Sequence, residues 1–316
     1  MELLAPHELG NLVSSVRPLV RVAGEYHRRP GPAFNSGDAS SIAIDQEKVL
    51  VPNAEQVAKA NLFREMHQPG TPIALVNVWD VASARVVAAQ PVTRALATAS
   101  WSVSAANGYE DGGGLPLDLA LVAAQRIVAS TELPVTVDFE KGYAATAGEV
   151  HANTLRLIET GAIGLNIEDS IGQEDRELWS LPDAAARIGA VRSAAEEAGV
   201  PLVINARTDI LVGGGSIASA IERGNAYLDA GADCIFVLGV EDQALREVVQ
   251  GIGGPVSVMA GATSPSIAAF AAAGVARVSF GPGPMGVAYA ALARLATDVF
   301  DGVPHSPDLA FRPGMA

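Results

Sequence analysis

Ionisable side chains close three apolar stretches in the middle of this chain. Asp138 and Glu140 end the first stretch, Glu168 the second and Arg207 the third. Each stretch is typical of a buried β-strand, and side chains two residues apart on a strand share a face, so Asp138 and Glu140 are expected to point together. Three carboxylates and one guanidinium that converge from neighbouring strands cannot stay dry and unpaired. A divalent cation with hard oxygen ligands resolves this conflict, so the pattern predicts a metal-dependent active site.

Between residues 70 and 300 the chain alternates β-like and helical runs, eight of each. This order predicts an α/β fold, a (β/α)₈ TIM barrel with eight parallel strands and its catalytic groups at the C-terminal ends of those strands. An open doubly wound sheet would also alternate, but no glycine-rich dinucleotide fingerprint follows the first run. The sequence divides into three regions. Residues 1–50 are an N-terminal extension that is expected to be poorly ordered or loosely docked, residues 51–303 form the barrel, and residues 304–316 are a C-terminal tail. A helix at 54–67 is expected to cover the N-terminal mouth. The predicted strands cover 73–78, 94–99, 134–139, 162–167, 201–206, 233–238, 255–259 and 276–280.

A structural ion pair is the alternative interpretation of the acids. Asp138 and Glu140 could pair with Arg207 or Lys141, and Arg207 could serve only to neutralise them. Perturbed charges cluster at functional sites, and buried acids at the catalytic end of a barrel favour the metal site. The fork geometry of Arg207 suits a carboxylate or a phosphate, so substrate contact is preferred for it. Asn205 shares the strand face of Arg207 and is a further candidate to bind substrate.

Composition excludes several classes of function. The chain has 316 residues and a formal net charge of −14, without a basic stripe, so nucleic acid is not an expected partner. No apolar run reaches the roughly 20 residues that cross a bilayer, and no secretory signal is recognisable. A single cysteine, Cys234, fits a reducing cytoplasm. The histidines avoid the strand ends, which argues against a triad or a zinc site. A cytoplasmic protein that acts on a small molecule is expected.

Seven motifs in this order resemble those of the isocitrate lyase/phosphoenolpyruvate mutase superfamily, and the resemblance covers roughly residues 54–300. It implies a Mg²⁺-dependent barrel (Mn²⁺ possible) that makes or breaks a C–C or P–C bond beside a 2-oxo acid, through an enolate. It also implies homodimers or homotetramers, in which paired subunits exchange the last helix of the barrel. The motifs are Asn77-VWDVASAR-Val86, Gly108-YEDGG, Val137-DFEKGY, Leu165-NIED, Asn205-ARTD, Gly231-ADCIF and Val278-SFGPG.

The same resemblance implies roles for the acids. Asp138 matches the principal metal ligand, and Glu140 matches the second acid of that motif, with a catalytic role as well. Glu168 matches the acid of the following strand. Asp111 matches a further acid near the waters of the metal and is a catalytic candidate. Asp111 lies in a glycine-rich run that any turn could have, so it depends on the resemblance alone.

Substrate contacts are implied in the same way. Arg207 matches an arginine that contacts a small-molecule carboxylate substrate, and it is a catalytic candidate as well. The segment Ala99-SWS matches a loop whose backbone amides hold the carboxylate of the oxo acid, which makes Ser100 and Trp101 substrate-binding candidates. Trp101 stands where a small residue is usual.

Other positions depart from the better-known members. The segment 170–181, the expected lid, lacks the cysteine of the lyases and also the lysine and asparagine of the mutases. Leu238 and Met259 replace a glutamate and an asparagine at two strand ends. The function expected is a lyase acting on a C–C bond next to a 2-oxo or 2-hydroxy carboxylate, and not a true isocitrate lyase. A phosphonate mutase or hydrolase, and a barrel that binds a metabolite without turnover, are the alternatives.

Several further polar residues are expected to be structural. The spacing of Asp80 to Ser83 predicts a helix N-cap. Asp209 is a supporting or loop residue, and Asp169 faces away from the cluster, toward the surface or a helix. Lys141 is expected to be solvated.

Overall fold

The computed structural model describes residues 53–172 and 177–304. The predicted extension at 1–50 and residues 305–316 of the tail lie outside these ranges, as do four residues of the expected lid. The described residues form nine parallel strands in one sheet. They are β1 Ile73–Leu75, β2 Asn77–Val78, β3 Leu96–Thr98, β4 Val135–Asp138, β5 Gly164–Glu168, β6 Val203–Thr208, β7 Cys234–Val237, β8 Val256–Met259 and β9 Arg277–Ser279.

The first predicted strand closes the barrel. It is divided at Val76 into β1 and β2, and the two parts pair with opposite ends of the sheet. Ile73 of β1 pairs with Arg277 of β9, whereas Asn77 of β2 pairs with Ala97 of β3. Counted as one strand, β1 and β2 complete an eight-stranded parallel barrel, and the predicted (β/α)₈ fold is confirmed.

Ten helices surround the strands in the described ranges. They are α1 Ala54–Glu65, α2 Val81–Ala88, α3 Ser100–Ala106, α4 Leu117–Val128, α5 Ala147–Glu159, α6 Leu181–Glu197, α7 Ile217–Asp229, α8 Asp242–Gly251, α9 Ile267–Ala273 and α10 Gly283–Phe300. Eight follow the predicted order, and α1 is the predicted N-terminal helix. The remaining one, α3, was not predicted, because its seven residues carry three serines and no clear apolar period. The predicted cap of α2 is confirmed, since Asp80 accepts a 2.7 Å bond from the Ser83 amide.

The N-terminal end of the barrel is held by polar contacts from α1. The Gln56 side chain donates to two backbone carbonyls, those of Ile158 and Ala162, at 2.9 Å each. Arg64 donates to Asp233 at 2.9 Å just before β7 begins. These contacts satisfy backbone groups that would otherwise be buried without partners, and they confirm that α1 covers this end.

The last helix, α10, exposes an apolar stripe. Tyr289, Leu292 and Val299 recur at helical spacing and remain 49%, 60% and 56% exposed. Tyr289 contacts the Trp79 ring edge-on at 6.2 Å, which places this part of α10 beside the first strand. Across the described ranges, no helix is long and apolar enough to cross a membrane.

Candidate active site

The predicted site residues meet at the C-terminal ends of β4, β5 and β6. Asp138 and Glu168 are the last residues of β4 and β5, and Arg207 is the next-to-last residue of β6. Strand register pairs Glu168 directly with Arg207. Their side chains form a salt bridge with Nη1 and Oε2 2.8 Å apart. The sequence therefore located these three residues correctly, because parallel strands present their ends at one edge.

Asp209 also binds the Arg207 guanidinium. Its Nε and Nη2 donate to the two carboxylate oxygens of Asp209 at 2.6 and 2.7 Å, a bidentate pair. Burial works against the charged guanidinium, but Glu168 and Asp209 outweigh it and raise the pKa of Arg207. The guanidinium also lies over the Phe236 ring, 5.8 Å from its centre. Arg207 is thus a fixed cation, and the supporting role predicted for Asp209 is confirmed.

Asp138 is held by the N-terminus of α3. The Ser100 amide donates to Asp138 Oδ2 at 2.9 Å, where the first turn of a helix offers free N–H groups. The amide that the resemblance assigns to the substrate carboxylate is thus hydrogen-bonded to a protein carboxylate in this structure. Trp101, the next residue, is 48% exposed on the same turn. The other oxygen, Asp138 Oδ1, is buried and has no hydrogen-bond partner among the described residues.

Glu140 reaches the site by a route that the strand pattern did not predict. Strand β4 ends at Asp138, so Glu140 does not share a strand face with it; its backbone is left-handed, with φ of 49°. This conformation is costly for a residue with a Cβ and is typical of functional turns. Tyr143 donates a 2.8 Å hydrogen bond to Oε1, while Oε2 is buried without a partner in the described structure. A tight turn therefore aims the carboxyl group inward.

Burial and like charge perturb the acids of this cluster. Burial raises the pKa of Glu140 to about 7, and the negative charges of Asp138 and Asp111 add to the rise. The hydrogen bond from Tyr143 acts in the opposite direction and lowers this pKa. Burial also raises the pKa of Asp111, again with Asp138 contributing, while the Ser100 side chain opposes it. Burial raises the pKa of Glu168 to about 7 in spite of Arg207. The acids are therefore near enough to repel one another, as the sequence predicted.

Lys141 ties the surrounding loops together and is not solvated as expected. Its Nζ donates to the carbonyl of Gly112 at 3.3 Å and to that of Ile171 at 2.9 Å. The first bond anchors the turn that carries Asp111, and the second anchors the start of the segment after β5. Neither partner lies close to Lys141 in sequence, so only the folded chain reveals the contact.

Asn205 lies below the site and not at its mouth. It is fully buried, and its Nδ2 donates to Asn166 Oδ1 at 2.8 Å. The same oxygen accepts a 3.0 Å bond from Arg277, a guanidinium enclosed by the barrel. Burial lowers the pKa of Arg277 to about 10, which leaves it charged at neutral pH. The expectation that Asn205 contacts substrate is corrected: it belongs to a polar layer under the acids.

A cleft of about 260 Å³ opens over Arg207. Its lining combines ionisable residues, Asp111, Glu168, Arg207 and Asp209, with apolar ones, Leu178, Val212 and Leu238. Met259 is 44% exposed at the end of β8. The cleft is therefore lined in part by charged groups and in part by apolar surface.

Within residues 53–172 and 177–304, no three Asp, Glu, His or Cys side chains form a ready-made metal cage. The acids are instead partly engaged, Glu168 with Arg207 and one oxygen of Asp138 with the Ser100 amide. The partnerless oxygens of Asp138 and Glu140 are the two that fit a cation. Carboxylate oxygens are also the ligands that Mg²⁺ and Mn²⁺ prefer.

Comparison with known proteins agrees with the motifs and the fold. Residues 63–300 match the family described as phosphoenolpyruvate phosphomutase. An uncharacterised protein of Mycobacterium tuberculosis is 35% identical over 245 residues, which cover 76% of this chain and 89% of the relative. The 2-methylisocitrate lyase of Escherichia coli is 32% identical over 154 residues, 47% of this chain and 52% of that enzyme. A crystal structure from Burkholderia cenocepacia, described as a candidate phosphonomutase, superimposes with a TM-score of 0.73 at 42% identity, covering 78% of this chain and 99% of that one. The chain therefore belongs to the phosphoenolpyruvate mutase family, within the isocitrate lyase/phosphoenolpyruvate mutase superfamily of lyases and mutases.

Proposed function

We propose that the protein is a Mg²⁺-dependent lyase, also served by Mn²⁺, that cleaves or forms a C–C bond beside a 2-oxo or 2-hydroxy carboxylate. The observation that carries the proposal is the pair of buried, partnerless oxygens on Asp138 and Glu140, in a cluster with further acids. The similarity to a 2-methylisocitrate lyase supports C–C chemistry. That similarity spans only about half of the enzyme, so its substrate does not transfer with it.

The charge balance of the site supports the cation. Five acids and three bases surround the cleft and the layer beneath it, so a divalent ion would neutralise the excess negative charge when every acid is ionised. A bound Mg²⁺ supplies Lewis-acid polarisation of a substrate carbonyl and stabilises the negative charge of an enolate. The acids are Asp111, Asp138, Glu140, Glu168 and Asp209, and the bases are Lys141, Arg207 and Arg277.

Arg207 is placed to orient an anionic substrate. A guanidinium carries five N–H groups, and three of them are used by Glu168 and Asp209. The remaining two can donate to a carboxylate in the cleft, whose wall Arg207 forms. Because the side chain is already clamped, little rotamer entropy is lost when substrate binds.

Asp111 and Glu140 are the proposed groups for proton movement. Both are carboxyls with raised pKa values, and Asp111 lines the cleft itself. A carboxyl whose pKa lies near the working pH can both give and accept a proton. Tyr143 keeps Glu140 Oε1 hydrogen-bonded, and Oε2 is the oxygen proposed for the cation. Glu140 would therefore release its proton as the cation binds, and Asp111 would exchange protons with the substrate while the cation is in place.

A phosphonate mutase or hydrolase is the second candidate. The candidate phosphonomutase from Burkholderia cenocepacia, at 42% identity, favours it. A phosphonate dianion needs more positive charge than a carboxylate, however, and the cleft wall holds one cation beside three acids. A barrel that binds a metabolite without turnover is the third candidate, and product release would exclude it. Turnover of phosphonopyruvate, assayed beside carboxylate substrates, separates the first two.

We further propose that the protein assembles as a homodimer or homotetramer through α10. The exposed stripe of Tyr289, Leu292 and Val299 is the surface expected of a helix that packs against a second copy.

The assembly is tested by Leu292→Asp, which places a charge on the stripe and should yield monomers in light scattering after size-exclusion chromatography. Val92→Asp is the matched control, because Val92 is 87% exposed outside α10. Monomeric wild-type protein would refute the proposal.

The metal site is tested by Asp138→Asn, which keeps an acceptor for the Ser100 amide and removes the charge. Activity should fall at least a hundredfold, while the melting temperature stays level or rises because like-charge repulsion is relieved. Asp118→Asn, which alters an exposed acid paired with Arg156, should change nothing. Normal turnover of Asp138→Asn in the presence of EDTA would show that no metal acts at this residue.

Metal binding should depend on pH through Glu140. With its pKa at about 7, Glu140 is mostly protonated at pH 6 and mostly ionised at pH 8. Because a cation binds the ionised form, Mg²⁺ affinity should rise about tenfold over that interval, with proton release. Calorimetry in buffers of different ionisation enthalpy measures both effects. Glu140→Gln should lose most of the pH dependence; an unchanged dependence would exclude Glu140 as its source.

Isocitrate and methylisocitrate should be poor substrates. Leu238 and Met259 offer apolar surface where an extra carboxylate would lie, and burying that charge unpaired costs at least several kcal/mol, on the order of a thousandfold in specificity. The expected preference is a smaller or more apolar 2-oxo or 2-hydroxy acid near Trp101. A kcat/KM on isocitrate of ~10⁴ M⁻¹s⁻¹ or more would contradict this account of the cleft.

A further inference from the structure

Asp169 is a buried carboxylate behind the site with every oxygen engaged. The residue is 3% exposed. Its Oδ2 accepts hydrogen bonds from Thr208 Oγ1 and the Tyr227 hydroxyl, at 2.7 Å each, and from Arg223 Nη1 at 3.1 Å. Its Oδ1 accepts from the Asp209 amide at 2.9 Å. The sequence placed Asp169 against the surface or a helix; the helix contact is confirmed, since Arg223 and Tyr227 belong to α7.

Hydrogen bonds to Asp169 fix the backbone from the Arg207 carbonyl to the Asp209 amide. The Asp169 amide donates to the Arg207 carbonyl at 3.2 Å, and the Asp169 carboxylate holds the amide of Asp209. Asp209 in turn grips the Arg207 guanidinium with both of its oxygens. A shift of Asp169 would therefore move Asp209 and the Arg207 guanidinium together.

The same residue anchors a second segment of the cleft lining. The Trp179 amide donates to the Asp169 carbonyl at 2.9 Å, and Arg223 Nη2 donates to the Trp179 carbonyl at 3.0 Å. Leu178, directly before Trp179, is one of the apolar residues that line the cleft. Arg207 and Leu178 are thus both tied to one residue whose side chain is not part of the cleft lining.

We infer that Asp169 is a positioning residue that sets the orientation of Arg207 and the position of Leu178 in the cleft lining. Its influence on turnover rests on the proposed function, but its influence on Arg207 does not. A purely structural carboxylate would stabilise the fold without altering the cleft.

The chain contains a matched control for a structural carboxylate. Asp233 accepts from Arg64 at 2.9 Å, from Arg192 at 2.7 Å and from the Ile204 amide at 2.8 Å. It precedes β7, so it lies at the N-terminal end of the barrel, opposite the site. Asp169→Asn and Asp233→Asn both remove a hydrogen-bonded charge, and both should lower the melting temperature.

The first readout is the crystal structure of the full chain carrying Asp169→Asn. Arg207 should leave its bidentate contact with Asp209, whereas in Asp233→Asn the contact should persist. An unmoved Arg207 in Asp169→Asn overturns the inference. If that variant does not fold, Tyr227→Phe and Thr208→Val each remove one donor to Asp169 and should give a smaller displacement of the same kind; no displacement in either overturns it as well.

The second readout is the affinity for oxalate with Mg²⁺, measured by calorimetry, together with KM and kcat for the best 2-oxo or 2-hydroxy acid. Because misplacing a binding group by about 1 Å costs on the order of a hundredfold, Asp169→Asn should weaken oxalate binding and kcat/KM at least tenfold. Asp233→Asn should change both less than about twofold. Equal effects in the two variants count against positioning. Wild-type protein that neither binds oxalate nor turns over any tested acid would refute the proposed function, while a displaced Arg207 would still support the positioning role.

Discussion

Neutralising buried carboxylates is the constraint around which this barrel end is organised. Asp138, Glu140 and Glu168 lie together, Glu140 buried and the other two partly buried. Burial, with a smaller contribution from the charge of Asp138, raises the pKa values of Glu140 and Glu168 to about 7. The guanidinium of Arg207, the helix amide at Ser100 and the hydroxyl of Tyr143 each stabilise one of these acids. Together they leave one oxygen of Asp138 and one of Glu140 unmatched. Carboxylate oxygens that are buried without a hydrogen-bond partner lower the stability of the fold, which is the reason to assign a ligand to this cluster.

Charged side chains are paired differently at the two ends of the barrel. At the N-terminal end, Asp233 is matched by Arg64 and Arg192, so the charges there are complete without a ligand. At the C-terminal end, Arg207 is shared between Glu168 and Asp209, and two of its N–H groups have no partner among the residues that the structure describes. This contrast follows the division of barrels into a stabilising end and a functional end. It also explains why removing one charge is expected to have different consequences at the two ends.

The regular features of the sequence predicted the barrel and the centre of the site. The parts of the site that depend on irregular backbone or on distant contacts were not predicted. The alternation of strands and helices predicted the fold, and the position of Glu168 and Arg207 at strand ends predicted their meeting, because both depend on repeating backbone geometry. Glu140 was misplaced since β4 stops two residues earlier and the chain turns through a left-handed conformation. Lys141 and Asp169 find partners distant in sequence, which no local pattern encodes. Only the folded chain could show that the Ser100 amide is already occupied.

The lining of the cleft combines charged residues with apolar ones. Arg207, Glu168 and Asp111 supply the charge, whereas Leu178 and Leu238 supply apolar surface. Apolar surface discriminates weakly between alkyl groups of similar size but strongly against an unpaired charge. Under the proposed function, the ionisable lining residues would carry the reaction, and the apolar ones would select the substrate. A mutation that exchanges Leu238 for a cation would alter which acid is accepted while leaving the bond-breaking groups in place, because the side-chain bonds that hold Arg207 in the described structure come from Glu168 and Asp209.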